Sequence, residues 1–273
     1  MSESRPVPVA LAIAGSDSGG GAGIQADLKA FARCRVHGTT AITALTAQNT
    51  VGVEAVAPVD PAMIVAQVRA VAVDLGVDAV KVGMLADEGT IDAVVEALGL
   101  VGEAPIVIDP VMVAESGAPL LAPAARAALI ERVLPLATVA TPNAAEARAL
   151  AGLGERADQR RLGEAILALG PRAVVVTGGH TDAGADVLVD DAGAIRIEGP
   201  RYPPGASHGS GCTHSSALAA FLARGIELAE AAHWAREIAA EAVGNGLREI
   251  GAGAGPVDVF GLRVHPKTPR APG

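Results

Sequence analysis

The chain of 273 residues is half hydrophobic, enough for one large α/β core. A net charge of -9 and an aromatic content of 2% argue against a nucleic-acid backbone, an anionic membrane or a base-stacking surface as partner, and leave a small phosphorylated ligand open. No apolar run approaches the ~18 uninterrupted residues of a membrane span, and two distant cysteines, Cys34 and Cys212, without a secretory leader point to reduced thiols in a cytoplasm.

Residues 7–15 read as a buried strand that opens onto the glycine-rich loop Gly15-Ser16-Asp17-Ser18-Gly19-Gly20-Gly21-Ala22-Gly23 and then a helix over 24–36. Strand, glycine loop and helix make the plan of a nucleotide-binding α/β unit. A P-loop is excluded, because no Lys-Ser/Thr follows the second glycine. Gly21-Ala22-Gly23-Ile24-Gln25-Ala26 fits the dinucleotide pattern, but the next strand, 42–48, ends in Gln48-Asn49 where an acid should hold a ribose. What remains is a loop that lets backbone approach a flat, polar small molecule, with Asp17 and Asp27 nearby. Gln48 carries a donor beside an acceptor, the match for a ring nitrogen next to an exocyclic amine; alone, it is more simply a turn residue.

Helices over 61–76 and 87–99 flank a strand over 79–85 that contains Lys81-Val82-Gly83-Met84. The strand 106–112 places Asp109 at the carboxyl edge of a parallel sheet, where ligands bind and carboxylates hold Mg²⁺. Residues 138–146 repeat the pattern of strand, turn and helix, with Glu146 in the helix. A strand over 173–177 opens onto Gly178-Gly179-His180, and 185–190 with 194–199 read as a hairpin across Asp191-Ala192-Gly193.

Gly209-Ser210-Gly211-Cys212-Thr213-His214-Ser215-Ser216 then runs directly into an apolar helix, and a last helix spans 227–245. Unpartnered amides and the helix dipole make that turn a site for an anion. Cys212 at a helix start is expected to have a lowered thiol pKa and to act as base or nucleophile; the plainer alternative is a small buried thiol. The alternation predicts an α/β fold of three layers, α/β/α, with a mostly parallel central sheet, helices on both faces and a late antiparallel hairpin. It reads as a single domain over 1–273 with loose ends at 1–6 and 265–273.

Taken together, Ala14 to Lys29, Thr46-Ala47-Gln48-Asn49-Thr50, Val82-Gly83-Met84-Leu85, Asp109-Pro110-Val111-Met112, Thr141-Pro142-Asn143 with Glu146, Gly178-Gly179-His180 and His208-Gly209-Ser210-Gly211-Cys212-Thr213 resemble the hydroxymethylpyrimidine/phosphomethylpyrimidine kinases of thiamine biosynthesis, in the ribokinase-like superfamily. The resemblance runs from about Val7 to about Val257. It implies a ribokinase-like three-layer sheet, MgATP as donor, an aminopyrimidine bearing a hydroxymethyl group as acceptor, phosphorylation of that hydroxyl and then of the monophosphate, and a homodimer. Carried over by position, Gly15, Asp27, Gln48, Met84 and Val111 would line the pyrimidine pocket. Asp109 and Glu146 would serve Mg²⁺, and Asn143, Thr177, Gly179 and Ser210 would face ATP. Gly209, Gly211 and the Cys212 backbone would form the anion hole, with Cys212 as catalytic base.

Two positions depart from the family pattern: Thr177 and Glu115 stand where the family commonly has lysine, and the chain has only Lys29, Lys81 and Lys267. This puts the second phosphorylation more at risk than the first, unless arginine or a monovalent cation compensates. A pyridoxal kinase of the same fold is the nearest rival, with Gln48 and Met84 favouring the pyrimidine. A non-catalytic pyrimidine-binding protein is a further alternative, opposed by Cys212, Asp109 and Glu146. A thiol hydrolase lacks a third group to orient His208 or His214.

Overall fold

The computed structural model describes residues 6–115, 117–179, 184–200 and 206–262. His180 and, apart from Pro6, the terminal segments expected to be loose lie outside them. Nine strands, β1 (Val9–Asp17), β2 (His37–Gln48), β3 (Val53–Pro58), β4 (Ala79–Val82), β5 (Ile106–Ile108), β6 (Val139–Ala140), β7 (Ala173–Val176), β8 (Asp186–Asp190) and β9 (Gly193–Ile197), form one sheet. Their order is β3-β2-β1-β4-β5-β6-β7-β8-β9. The run from β2 to β7 is parallel, and antiparallel strands close both ends, β3 against β2 and β8-β9 beyond β7.

Alternation along β1 sorts the two faces of the sheet. Leu11 and Ile13 enter one core with Ile64, Val94 and Leu162, from α2 (Pro61–Asp74), α3 (Glu88–Leu98) and α6 (Gln159–Leu167). Ala10 and Ala12 enter the other with Phe31, Leu218 and Ala232, from α1 (Gly23–Arg33), α7 (Ser210–Ala223) and α8 (Leu228–Gly244). Each fully buried leucine or isoleucine contributes ~1.5–3 kcal/mol by leaving water. The alanines of the second face leave room for α7, which is buried continuously from Thr213 to Phe221. A helix buried on every side from its second turn has no solvent face there, so its N-terminus is delivered to the sheet edge beside the cavity.

Three elements go beyond the sequence reading. The strand β3 is exposed or half-exposed at every residue, so no apolar alternation marks it. Helix α4 (Ala125–Ala128) runs on through a π turn (Leu129–Val133) and a 3-10 turn (Leu134–Leu136), where Pro135 ends the ladder. Helix α6 buries only Leu162, Gly163 and Ile166. Strand β5 also stops at Ile108, so Asp109 is the first residue of the loop beyond it.

Gly178 follows β7 so closely packed that a Cβ there would lie 1.8 Å from the Ala185 carbonyl oxygen. Gly178→Ala is expected to cost at least ~2 kcal/mol by overpacking, read as a lower urea midpoint at unchanged slope. An unchanged midpoint contradicts the close approach of β7 and β8 at this point.

Candidate active site

Because the parallel strands all point the same way, their carboxyl ends deliver Gly15, Met84, Asp109, Asn143 and Thr177 to one edge of the sheet. There they wall a cavity of about 720 Å³, large enough for two small molecules at once. Gln48, Val111, Glu146, Gly179, Gly209, Ser210, Gly211 and Cys212 border the same cavity.

Asp17 shapes the glycine loop. Its carboxylate accepts from the amides of Gly19 (2.7 Å), Gly21 (3.0 Å) and Ala22 (2.8 Å) and lies 3.0 Å from His208 Nε2. Burial opposes the charge, but His208 and the Ala22 and Gly19 amides outweigh it and hold the carboxyl below its ordinary range. His208 in turn leads into the anion turn. Gly209 has φ +86°, and a Cβ on it would sit 1.7 Å from the Gly21 carbonyl oxygen, so loop and turn interlock through two glycines. Gln48, half-buried, accepts from Thr46 Oγ1 at 3.2 Å and pairs its backbone with the Ser18 hydroxyl.

Lys81 has no exposed surface, yet it borders the cavity. Its ammonium donates to Asp27 Oδ1 at 2.8 Å and lies 4.0 Å from Asp109 Oδ2. Gly83 admits it: a Cβ there would be 2.9 Å from Nζ. From α7, Ser216 donates to Asp27 Oδ1 (2.7 Å) and Ser215 to Asp109 Oδ2 (2.9 Å). Burial works against the ammonium, but Asp27, Cys212 and Asp109 raise its pKa above the ordinary lysine value. Burial raises the Asp27 carboxyl, with Lys81 and Ser216 opposing.

This arrangement corrects two expectations. Asp27 does not line the cavity; it is fully buried behind Lys81, because α1 turns that face toward β4 and α7. The Cys212 thiol is pushed up to about 12 rather than lowered: burial raises it most, Lys81 opposes, Asp27 and Asp109 raise it further, and the Gly23 amide lowers it. A helix-start position favours a thiolate, but two carboxylates beside a desolvated sulfur favour the thiol.

Asn143 and Glu146 form a capping box at the start of α5 (Ala144–Ala151), each accepting the other's backbone amide at 2.9 Å. Burial and the charge of Asp109 push the Glu146 carboxyl up to about 8, against the Asn143 and Met112 amides. Two carboxylates that resist joint ionisation at a sheet edge suit a hard cation.

Sequence reasoning missed several polar groups of the cavity wall. Lys81 was an interruption in an apolar strand, which in a chain with three lysines was the available signal. His214 lies 3.1 Å from Asp186, with Arg236 at 3.9 Å, all buried. Glu115, one of the two departures from the family pattern, accepts from the Ser207 hydroxyl at 2.7 Å, and both residues border the cavity.

The phosphomethylpyrimidine kinase family profile matches residues 17–258. The hydroxymethylpyrimidine/phosphomethylpyrimidine kinase of Rhizobium meliloti is 48% identical over 92% of this chain and 97% of its own length. The chain belongs to the phosphomethylpyrimidine kinase family. Among solved structures, this kinase resembles the pyridoxal kinase of Bacillus subtilis in its ADP complex, with TM-score 0.86, 38% identity and coverage of 95% of this chain and 100% of that one. It also resembles the phosphomethylpyrimidine kinase of Clostridium difficile, with TM-score 0.74, 41% identity and coverage of 84% and 96%. Both likenesses accord with the mostly parallel sheet and its helices on two faces, a ribokinase-like kinase fold.

The displaced Glu146 titration has a stability consequence in the ligand-free kinase. Below its ordinary value of 4.5 both folded and unfolded chains hold the proton, while between 4.5 and about 8 only the folded chain does. The stabilisation from that retained proton is therefore fully present below 4.5 and is lost as pH rises through about 8. Urea midpoints taken across this interval are expected to fall with pH in the wild type and to fall less in Glu146→Gln. Parallel curves for the two proteins contradict the buried pairing with Asp109.

Proposed function

We propose that this kinase transfers the γ-phosphoryl group of ATP to 4-amino-5-hydroxymethyl-2-methylpyrimidine and then to its monophosphate, supplying the pyrimidine diphosphate of thiamine biosynthesis. The observation that carries the reading is the convergence in one cavity of a flat-ring wall, an anion turn and a carboxylate pair. Gly15 has no side chain, and even a Cβ there would come within 3.0 Å of Met84 Sδ, leaving Met84 and Val111 as apolar walls for a ring whose polar edge meets Gln48. The acceptor hydroxyl then lies toward Cys212 and the donor phosphates toward Gly209, Ser210 and Gly211, with Asn143, Thr177 and Gly179 on the donor side.

Phosphoryl transfer asks the protein mainly for in-line placement and charge neutralisation. The amides of the turn present fixed partial positive charge at the start of α7, in a site that needs no reorganisation as charge develops. Asp109 and Glu146 fit a divalent cation, since the repulsion that lifts Glu146 is what a cation between them relieves. Among the described residues no group of three His, Cys, Asp or Glu is placed to hold a metal ion, so Mg²⁺ would rest on these two carboxylates together with water and phosphate oxygens. When bound, Mg²⁺ neutralises phosphate charge. Cys212 takes the hydroxyl proton late, when the acceptor oxygen has already become acidic.

A second reading, pyridoxal phosphorylation, is favoured by the higher TM-score to the Bacillus subtilis pyridoxal kinase than to the Clostridium difficile phosphomethylpyrimidine kinase. ADP release with MgATP and hydroxymethylpyrimidine, its monophosphate or pyridoxal separates the two. Turnover on both pyrimidines is expected, with the monophosphate slower because Glu115 and Thr177 supply no positive charge. Turnover on pyridoxal alone overturns the proposal. Cys212→Ala is expected to lower kcat by ~10²-fold with little change in KM for the pyrimidine; an unchanged kcat removes the thiol from the chemistry.

A further inference from the structure

Three hydroxyls stand near the ring end of the cavity, on the glycine loop and the strand beside it, and following their protons leaves one unspent. Ser18 donates to the Gln48 carbonyl oxygen at 2.7 Å and accepts from the Gln48 amide at 2.8 Å, and it does not border the cavity. Thr46 borders it, but the Thr46 proton is directed to the Ser16 carbonyl oxygen at 2.9 Å, with Gln48 Oε1 3.2 Å from the same hydroxyl. Ser16 is half-buried and borders the cavity, and its Oγ accepts from Gln25 Nε2 at 2.9 Å. Among the described residues that is the only bond of the Ser16 hydroxyl, so its own proton has no acceptor in the protein. The direction of the Gln25 amide is fixed as well. Its oxygen accepts from the Asp17 amide at 2.9 Å, and a backbone N–H can only donate, so the NH₂ group is the end that meets Ser16. Gln25 lies in the first turn of α1, which is pressed against the end of β1: a Cβ on Gly23 would lie 2.3 Å from the Gly15 carbonyl oxygen. The Ser16 oxygen is therefore held as an acceptor toward α1, and its proton is left for a ligand.

We propose that Ser16 donates this proton to the ring nitrogen para to the amine of the acceptor, while Gln48 meets the nitrogen beside the amine. The inference rests on the kinase reading above and on Gln48 as the group at the amine edge. A pyrimidine carries two nitrogens flanking one carbon, and each is an acceptor. The Gln48 amide serves one nitrogen and the amine, and has no donor left for the other. Thr46 bridges the Ser16 carbonyl and the Gln48 side chain, so the two groups are neighbours on the wall that such an edge would meet. Covering the second nitrogen without a donor would forfeit its bond to water, and the Ser16 hydroxyl replaces that bond. Ser16 is thus a specificity residue that favours a ring with two nitrogens over one with CH at the para position. It meets a part of the ring that does not react, so its effect falls on binding and KM rather than on kcat.

The test crosses a change in the protein with a change in the ring. Kd is measured by calorimetry for hydroxymethylpyrimidine and for the aminopyridine in which CH replaces the nitrogen para to the amine, at a mildly alkaline pH where both rings are neutral. Wild type is expected to bind the aminopyridine ~10-fold more weakly than the pyrimidine. Ser16→Ala is expected to bind the pyrimidine ~10-fold more weakly than wild type does, to bind the two rings equally, and to keep kcat with MgATP within about threefold. Ser16→Thr retains the hydroxyl and is expected to restore the pyrimidine Kd to within about threefold of wild type. An unchanged pyrimidine Kd in Ser16→Ala, or a Ser16→Ala protein that still separates the two rings as wild type does, overturns the proposal. Equal affinity of wild type for the two rings overturns it with no variant at all, so the test survives a Ser16→Ala protein that does not fold. Absence of turnover of the pyrimidine by wild type refutes the kinase reading instead, because the Kd comparison is read without turnover.

Discussion

Everything at the reacting end of this molecule is hung on one ammonium group without solvent contact. Lys81 reaches Asp27 on α1 and Asp109 beyond β5, and two serines of α7 donate to the same carboxylate oxygens that the ammonium faces. One helix from each end of the chain and two central strands therefore meet in a single ionic cluster. Such a cluster is a poor source of stability, because desolvating three charges costs about as much as their attraction returns. What it gives is position: with Asp109 and α7 tied to the same cation, the metal-facing carboxylate and the anion turn cannot drift apart. Removing Lys81 alone would strand two buried carboxylates, the case in which a buried ion pair becomes indispensable.

A second, independent tie fixes the turn against the opening loop. Asp17 organises three loop amides and meets His208, while a side chain on Gly209 would run into the Gly21 carbonyl and one on Gly21 into the His208 ring. The wall assigned to the pyrimidine and the turn assigned to phosphate thus move as one piece. Preorganisation of this kind is what transfer chemistry rewards, since a fixed dipole aimed at developing charge pays no reorganisation at the moment of reaction.

The sheet was legible because strand-glycine-helix punctuation repeats along the chain, and parallel strands must share a carboxyl edge. That one rule brought Gly15, Met84, Asp109, Asn143 and Thr177 to a common place from positions far apart in sequence. It says nothing about a helix's rotation, which is why Asp27 was placed toward the ligand when α1 in fact turns it to Lys81. Lys81 itself looked like a blemish in an apolar strand; its meaning depends on two carboxylates that only the fold supplies. Cys212 shows the same limit. Its helix-start position was readable, but the desolvation and the two neighbouring acids that reverse its thiol pKa were not. At the edge, β3 escaped notice because it buries no residue and carries no apolar pattern.

The account stands or falls on Lys81 being a charged, hydrogen-bonded ammonium in the core. With three lysines in the chain, a nitrogen-15 lysine spectrum followed from neutral to alkaline pH can be assigned with Lys29→Arg and Lys267→Arg alone. One ammonium signal, that of Lys81, is expected to exchange its protons slowly and to remain charged beyond the ordinary lysine value of 10.5. A Lys81 signal that loses its proton at or below that value, or that is a neutral amine at neutral pH, would contradict the ionic cluster and with it the organisation of the site.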